Sequence, residues 1–263
     1  MAKLVLDLAK NVEHNASMYF EKAKKIKKKI GGAERALQES LKELRELEAR
    51  KEKELRKSEE AIEKKKAAVK KEWYEKFRWF KSSDELLVIG GRDATTNEII
   101  IKKHTDSNDL VFHTDIAGSP FFVVKSEGKE IGNQTMQETA DATCTYSRAW
   151  KLGLQTTPVF HVKPEQVSKK MQSGEYMGKG AFMIYGKANY VDNKINLAIG
   201  ITNEGKIMAG PLEAVKAHCG KLIELVQGNE KVSAIAKLIK HRIGGEIDDI
   251  IRALPAGEFS VKK

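Results

Sequence analysis

The sequence is poor in the residues that stop helices and cross-link chains. Of its 263 residues only two are cysteine, Cys144 and Cys219, and five are proline. Two cysteines without a CxxC spacing build no disulfide framework and suit a reducing compartment. Residues 1–80 contain no proline at all, and no aromatic residue lies between Phe20 and Trp73. Long apolar runs are also missing. The opening MAKLVLDLAK has one short apolar patch, broken by Asp7, and lacks the apolar stretch of a signal peptide. Nothing approaches the ~18 apolar residues of a membrane span. A soluble, cytoplasmic chain with no membrane partner is expected.

What is present is charge. Hydrophobic residues make up 41%, enough for a core, but Asp, Glu, Lys and Arg reach 32%, so part of the chain must be strongly solvated. The formal net charge of +10 makes an anionic partner plausible. Residues 1–80 hold 23 of the 47 Lys and Arg and 15 of the 37 Asp and Glu, net +8, which leaves net +2 for 81–263. Composition therefore divides the chain near residue 80.

From Asn11 to Lys71 the residues are mostly Ala, Glu, Lys, Leu and Arg, which favour helix, and Gly31-Gly32 is the only breaking signal. Leu41, Leu55, Ile62 and Val69 share one heptad register that Glu48 interrupts. Leu37 and Leu44 take the other seam position, followed by Lys51, Ser58 and Lys65. This stripe is too thin for a long independent zipper and predicts a helical hairpin turning near 46–53, or an arm lying on another surface. Within KAKKIKKKI (22–30), six lysines fall in eight residues with no acid. Lys24, Lys25, Lys27 and Lys28 are read as contacts to an RNA phosphate backbone, against the alternative of a solvated face. The ring-rich WYEKFRWF (73–80) continues the helical spacing. Val69, Trp73, Phe77 and Phe80 share one face that docks the arm, while Tyr74 and Trp79 lie off it and either stack on bases or complete the packing.

After Ser82-Ser83 short apolar runs alternate with turn signals. Strands are expected at 86–91, 109–115, 120–125, 157–162, 180–187, 194–201 and 221–226. Helices are expected at 95–104, with Thr95 as cap and Glu98 as its reciprocal partner, at 133–153, closed by Gly153, and at 211–219, 230–242 and 246–254. The whole is an α+β chain: a long N-terminal helical coiled-coil arm over 1–80, then a mixed α/β globular domain over 81–263 with a C-terminal helical tail.

The segments EWYEKFRWF, VIGGRDATTNE, FHTDIAGSP, YSRAW, KPEQVSK and SGEYMGKGAFMIYGK, in that order, resemble the RNA-binding domain of the NFACT family. LDLAKNVEHNASMYFEKAKK resembles the start of that family's coiled-coil arm. The resemblance implies a ribosome-associated quality-control factor that recognises large ribosomal subunits still holding peptidyl-tRNA. Its implied partners are large-subunit RNA and tRNA, with ribosomal proteins along the arm. These 263 residues show no counterpart of the family's larger N-terminal region, so the arm and RNA-binding domain are expected without the complete activity. Two positions depart from the pattern: Ala117 stands where a second histidine is usual, and His161 where many relatives carry Trp.

Several residues are candidates for RNA contact. In GGRD (90–93), Arg92 either pairs with Asp93 or reaches a phosphate or a guanine edge, with Asp93 and Asn97 orienting it. His113 and Asp115 alternate on one strand face and are expected in a polar, RNA-facing network. They lack the convergent ligands of a zinc site. Trp150 falls on the apolar face of its helix, and Arg148 lies off it as the RNA candidate. Lys169, Lys170, Tyr176 and Lys179, in the glycine-bearing stretch after Val167, form an expected phosphate clamp with a stacking ring. No catalytic residue, metal or cofactor is expected. Two other classes stay in view: an RNA-processing enzyme using His113, Asp115 and Glu175, and a coiled-coil protein-binding scaffold.

Overall fold

A computed structural model of the protein describes residues 5–68, 71–169 and 178–262, with backbone alone at 49 and 52–68. The chain forms two compact units, Met1–Ala68 and Val69–Lys263.

The first unit is one helix, α1 (Val12–Ala68), 57 residues long. At ~1.5 Å per residue it extends about 85 Å. The expected hairpin is absent, and the reason is local. Every residue from 46 to 53 favours helix, so nothing there stops it. Gly31-Gly32 costs about 1 kcal/mol per glycine relative to alanine, too little to break a rod this long. Leu37, Leu41, Leu44 and Leu47 are all exposed. At the N-terminal end the chain folds back on α1. Buried Asn15 accepts from the Asp7 N–H at 2.9 Å and donates to the Asp7 carbonyl at 3.0 Å. Tyr19 Oη donates to the Val5 carbonyl at 2.7 Å.

The second unit begins before residue 81. Trp73–Lys76 is a single 3-10 turn, and β1 (Arg78–Lys81) is a strand. The ring-rich segment thus shares no helical face. Phe77, Trp79 and Phe80 are buried in the domain core, and Tyr74 packs on Trp79 at 4.9 Å. Trp79 is unavailable for bases. Apolar spacings of three and four suit a helix, but Phe77 and Trp79 also alternate as on a strand, and pairing with the next strand decided the outcome.

In chain order there follow β2 (Leu87–Gly90), α2 (Ala94–Lys103), β3 (Leu110–Thr114), β4 (Phe122–Val124), α3 (Asn133–Thr145), α4 (Arg148–Leu152) and β5 (Val159–Val162). Then come β6 (Val167–Ser168), β7 (Met183–Ile184), β8 (Asn189–Val191), β9 (Leu197–Thr202), β10 (Ile207–Gly210), α5 (Leu212–His218) and β11 (Cys219–Lys231). The chain closes with α6 (Val232–Ile243), α7 (Ile247–Ala253) and β12 (Glu258–Val261). Strands pair antiparallel in a six-stranded sheet, β1-β2-β4-β3-β5-β8, a four-stranded sheet, β10-β9-β11-β12, and the short pair β6-β7.

The expected strand at 180–187 shrinks to β7. The C-terminal tail is not purely helical, because β12 adds an edge to the second sheet. That sheet is welded to the first. A Cβ on Gly210 would lie 2.9 Å from the Phe80 ring, so the glycine admits the ring. Trp150, 2% exposed, donates through Nε1 to the Glu258 carbonyl at 3.1 Å and packs on Phe259. The expected helix 133–153 is two helices. Ser147 interrupts it as a new N-cap, accepting from the Ala149 N–H at 3.0 Å. Gly153 closes α4 in the left-handed region, φ 71°.

Candidate nucleic-acid interface

One cleft of about 480 Å³ opens where β1, the turn after β2, the 117–121 loop, the start of α4 and the 179–182 segment meet. Arg92, Asp93, Asn97, His113, Arg148 and Lys179 all line it. These six come from four separate stretches of sequence, and the antiparallel order β2-β4-β3 carries two of those stretches, together with the 117–121 loop, to one end of the sheet.

Their roles differ from one another. Asp93 is the N-cap of α2. Its carboxylate accepts from the Thr96 N–H at 2.8 Å, and Thr96 Oγ1 accepts in return from the Asp93 N–H at 2.9 Å. The cap is therefore Asp93 with Thr96, not Thr95 with Glu98. Hydrogen bonding from Thr96 holds the Asp93 carboxyl below its ordinary value. Asn97 is buried and clips the loop: its Oδ1 accepts from the Phe121 N–H at 3.2 Å and its Nδ2 donates to the Ser119 carbonyl at 3.4 Å. A Cβ on Gly91 would sit 1.7 Å from that Oδ1, which is why Gly91 is glycine. Neither Asp93 nor Asn97 orients Arg92. Arg92 is exposed and makes no ion pair among the described residues, so its pairing with Asp93 is not formed.

Arg148 and Lys151 stand one turn apart on α4, both exposed and without an acidic partner among the described residues. Lys179 is likewise exposed. His113 stacks on Phe121, ring centroids 4.1 Å apart, and burial pushes its pKa down, so it stands neutral near pH 7.

Sequence reading overlooked Arg78. It opens β1 opposite Gly90 and lines the cleft. Its Nη1 donates to the Gly91 carbonyl at 2.6 Å, and its guanidinium lies 4.9 Å from the Tyr146 ring centroid. Its buried Nε has no partner among the described residues. Burial lowers its pKa to about 10, and the Arg92 charge pushes the same way. Burial also lowers the pKa of Arg92, and the Arg252 charge adds to that. Alternation in the strand RWFK was the signal, hidden by the helical reading of the same residues. Among the described residues the cleft thus holds Arg78, Arg92, Arg148, Lys151 and Lys179 against one carboxylate, Asp93, already committed to the α2 cap.

Other candidates lie apart from the cleft. Asp115 is exposed, and the Tyr190 hydroxyl donates to it at 3.3 Å. Lys169 is engaged by Glu98 at 2.8 Å and lies over the Phe182 ring. Glu98, also bonded to Lys102, has its pKa lowered to about 2, chiefly by that lysine. Lys170, Tyr176 and Glu175 fall outside the described residues. Lys24, Lys25, Lys27 and Lys28 are exposed on α1, in the other unit. Among the described residues no three His, Cys, Asp or Glu side chains converge as a metal site, and no helix is long and apolar enough to cross a membrane.

The second unit is thus a small mixed domain with a cationic cleft at the end of an antiparallel sheet. Residues 76–186 match the family model of the NFACT protein RNA binding domain. The archaeal Rqc2 homolog aRqcH of Methanocaldococcus jannaschii is 41% identical over 184 residues, covering 67% of this chain and 27% of that protein. The ribosome quality control complex subunit NEMF homolog of Drosophila melanogaster is 33% identical over 213 residues, 75% of this chain and 19% of that protein. Human NEMF, a ribosome quality control complex subunit, is 39% identical over 113 residues, 43% of this chain and 10% of that protein. The chain belongs to the NFACT family and carries its RNA-binding domain. The matched regions span about a quarter or less of these relatives' lengths.

Proposed function

We propose that the chain is the RNA- and ribosome-binding part of a ribosome quality-control factor, acting in the cytoplasm on large ribosomal subunits obstructed by peptidyl-tRNA. The observation that carries this reading is the cleft, lined among the described residues by five cationic side chains and one committed carboxylate and set within the NFACT RNA-binding domain. Phosphate contacts of this kind position a protein on RNA without reading its sequence. Large-subunit RNA and tRNA are the partners, and the exposed leucine stripe of α1 offers ribosomal proteins a surface. The role is binding rather than catalysis. His113 lies in the cleft while Asp115 is turned to Tyr190, so the two do not form an acid–base pair.

Co-sedimentation with purified large subunits tests the reading. Binding at low salt is expected, with weak sequence preference toward structured RNA and with log affinity falling linearly in log salt. No detectable binding at low salt would contradict it.

A further inference from the structure

Arg78 is held where an unneutralised charge is costly. Its guanidinium is mostly buried, and among the described residues it has one hydrogen bond, to a neutral carbonyl, with its Nε left without a partner. No carboxylate among the described residues pairs with it. Burying a cation without a counter-charge is strongly unfavourable, and proteins avoid it unless a partner arrives. Arg92 adds to the imbalance, since its charge disfavours the charge on Arg78. A tyrosine beneath Arg78 and a carbonyl at its side fix the fork in place. Such pre-organisation suits a bidentate partner, and phosphate matches it.

The remaining wall is made for close approach. Gly118 is in the left-handed region at φ 80° and leaves Arg148 the space beside it, its Cδ 3.9 Å from where a Cβ would stand. Exposed Ala181, half-buried Phe182 and His113, stacked on Phe121, also line the cleft. A volume of about 480 Å³ lies within the range of small-ligand sites and exceeds what one phosphate fills, so the unit that carries the phosphate enters with it.

We propose that this cleft takes a single nucleotide of an RNA strand, its phosphate seated over Arg78 and flanked by Arg92 and Arg148. The proposal rests on the RNA-binding reading and deepens it. It gives RNA a defined point of attachment in the domain, beyond diffuse attraction to a basic surface. A nucleotide turned out of a loop or a single strand fits this entrance, whereas one stacked inside a duplex does not.

The test uses the full chain, the Arg78→Met and Arg148→Gln variants, and four probes: inorganic phosphate, adenosine, adenosine 5′-monophosphate and a short single-stranded oligoadenylate. Arginine Nε–Hε resonances and binding isotherms are read together. The monophosphate should shift the Arg78 resonance and bind more tightly than phosphate, while adenosine leaves it unmoved. The oligonucleotide should shift the same resonance at lower concentration. Arg78→Met should weaken both phosphorylated ligands by about tenfold or more without lowering Tm, because an unpaired buried charge has been replaced by an apolar side chain. Arg148→Gln, at an exposed position, should weaken them with the fold unchanged.

If the oligonucleotide binds wild type and both variants equally, the cleft is not the attachment point, though RNA binding as such survives. If the monophosphate binds and the oligonucleotide does not, the site belongs to a free nucleotide and the RNA source is wrong. A large loss of Tm in Arg78→Met with normal binding in Arg148→Gln makes Arg78 structural and overturns the proposal.

Discussion

Replacing Asp93 separates two roles that one carboxylate combines. In Asp93→Ala, α2 loses the acceptor that binds the Thr96 N–H at 2.8 Å and the Thr96 hydroxyl at 3.0 Å. Loss of an N-cap costs about 1 kcal/mol, within a range of about 0.5–2, or about 2–4 °C in Tm for a unit of this size. Asp93→Asn keeps an acceptor oxygen at the cap, so its stability should stay within about 0.5 kcal/mol of wild type. Both variants remove the only carboxylate that lines the cleft among the described residues. A carboxylate and a phosphate about 6–8 Å apart across water repel by about 0.5–0.7 kcal/mol, so both variants should bind RNA two- to threefold more tightly at low salt, roughly RT ln of that ratio. The pH dependence has a definite sign. Because the folded carboxyl titrates below its ordinary 3.8, its contribution is fully present above that value and is lost as pH falls through the lowered one. The stability gap between wild type and Asp93→Ala should therefore close in acid. Thermal melts across pH and RNA titrations of both variants are the assay. If Asp93→Asn binds RNA more weakly, Asp93 contacts RNA directly and the assignment of its carboxylate to the cap alone is refuted.

Two more outcomes follow from the same structure. Changing Lys24, Lys25, Lys27 and Lys28 to Gln preserves helix propensity, and the salt slope should drop by roughly 0.7–0.9 per lost phosphate contact, while a fragment starting near Glu72 keeps its own binding. An unchanged slope with only lower solubility would make the tract a solvated face and favour a protein-binding arm. Lys125, buried and bonded to Asp109, to Asp106 at 2.7 Å and to the His104 carbonyl at 3.0 Å, is a structural ion pair. Lys125→Met strands buried Asp109 and should cost about 3–5 kcal/mol by denaturant unfolding, with a variant near wild-type stability contradicting that role.

Legibility in the sequence followed locality. Gly153 as a left-handed stop, Trp150 as core and the strands β3 and β4 were readable because neighbouring residues decide them. The arm was readable as helix but not as a single rod, since a hairpin turn without Gly or Pro leaves no mark to weigh against continuation. Trp73 to Phe80 misled because their spacing satisfies both periods, and only pairing of Arg78–Lys81 with Leu87–Gly90 resolves it. β12 was missed because four residues after a Pro-Ala-Gly turn carry little pattern of their own. At the site, individual basic residues stood out, but their convergence depends on strand order. Arg92 and Arg148 meet across one cleft although 56 positions separate them. Arg78 escaped notice because its importance lies in burial without a partner, a property of tertiary packing alone.

The central claim is that the cleft of this domain engages RNA on the ribosome. The most direct measurement compares wild type with an Arg92→Ala, Arg148→Ala double variant in co-sedimentation with purified large ribosomal subunits over a series of salt concentrations. Both residues are exposed and unpaired among the described residues, so Tm should hold within about 2 °C, in keeping with surface substitutions of at most about 0.5 kcal/mol. The account predicts weaker binding at every salt concentration and a salt slope shallower by about 1.4–1.8, two phosphate contacts fewer. A folded double variant that binds subunits with the affinity and slope of wild type would contradict it.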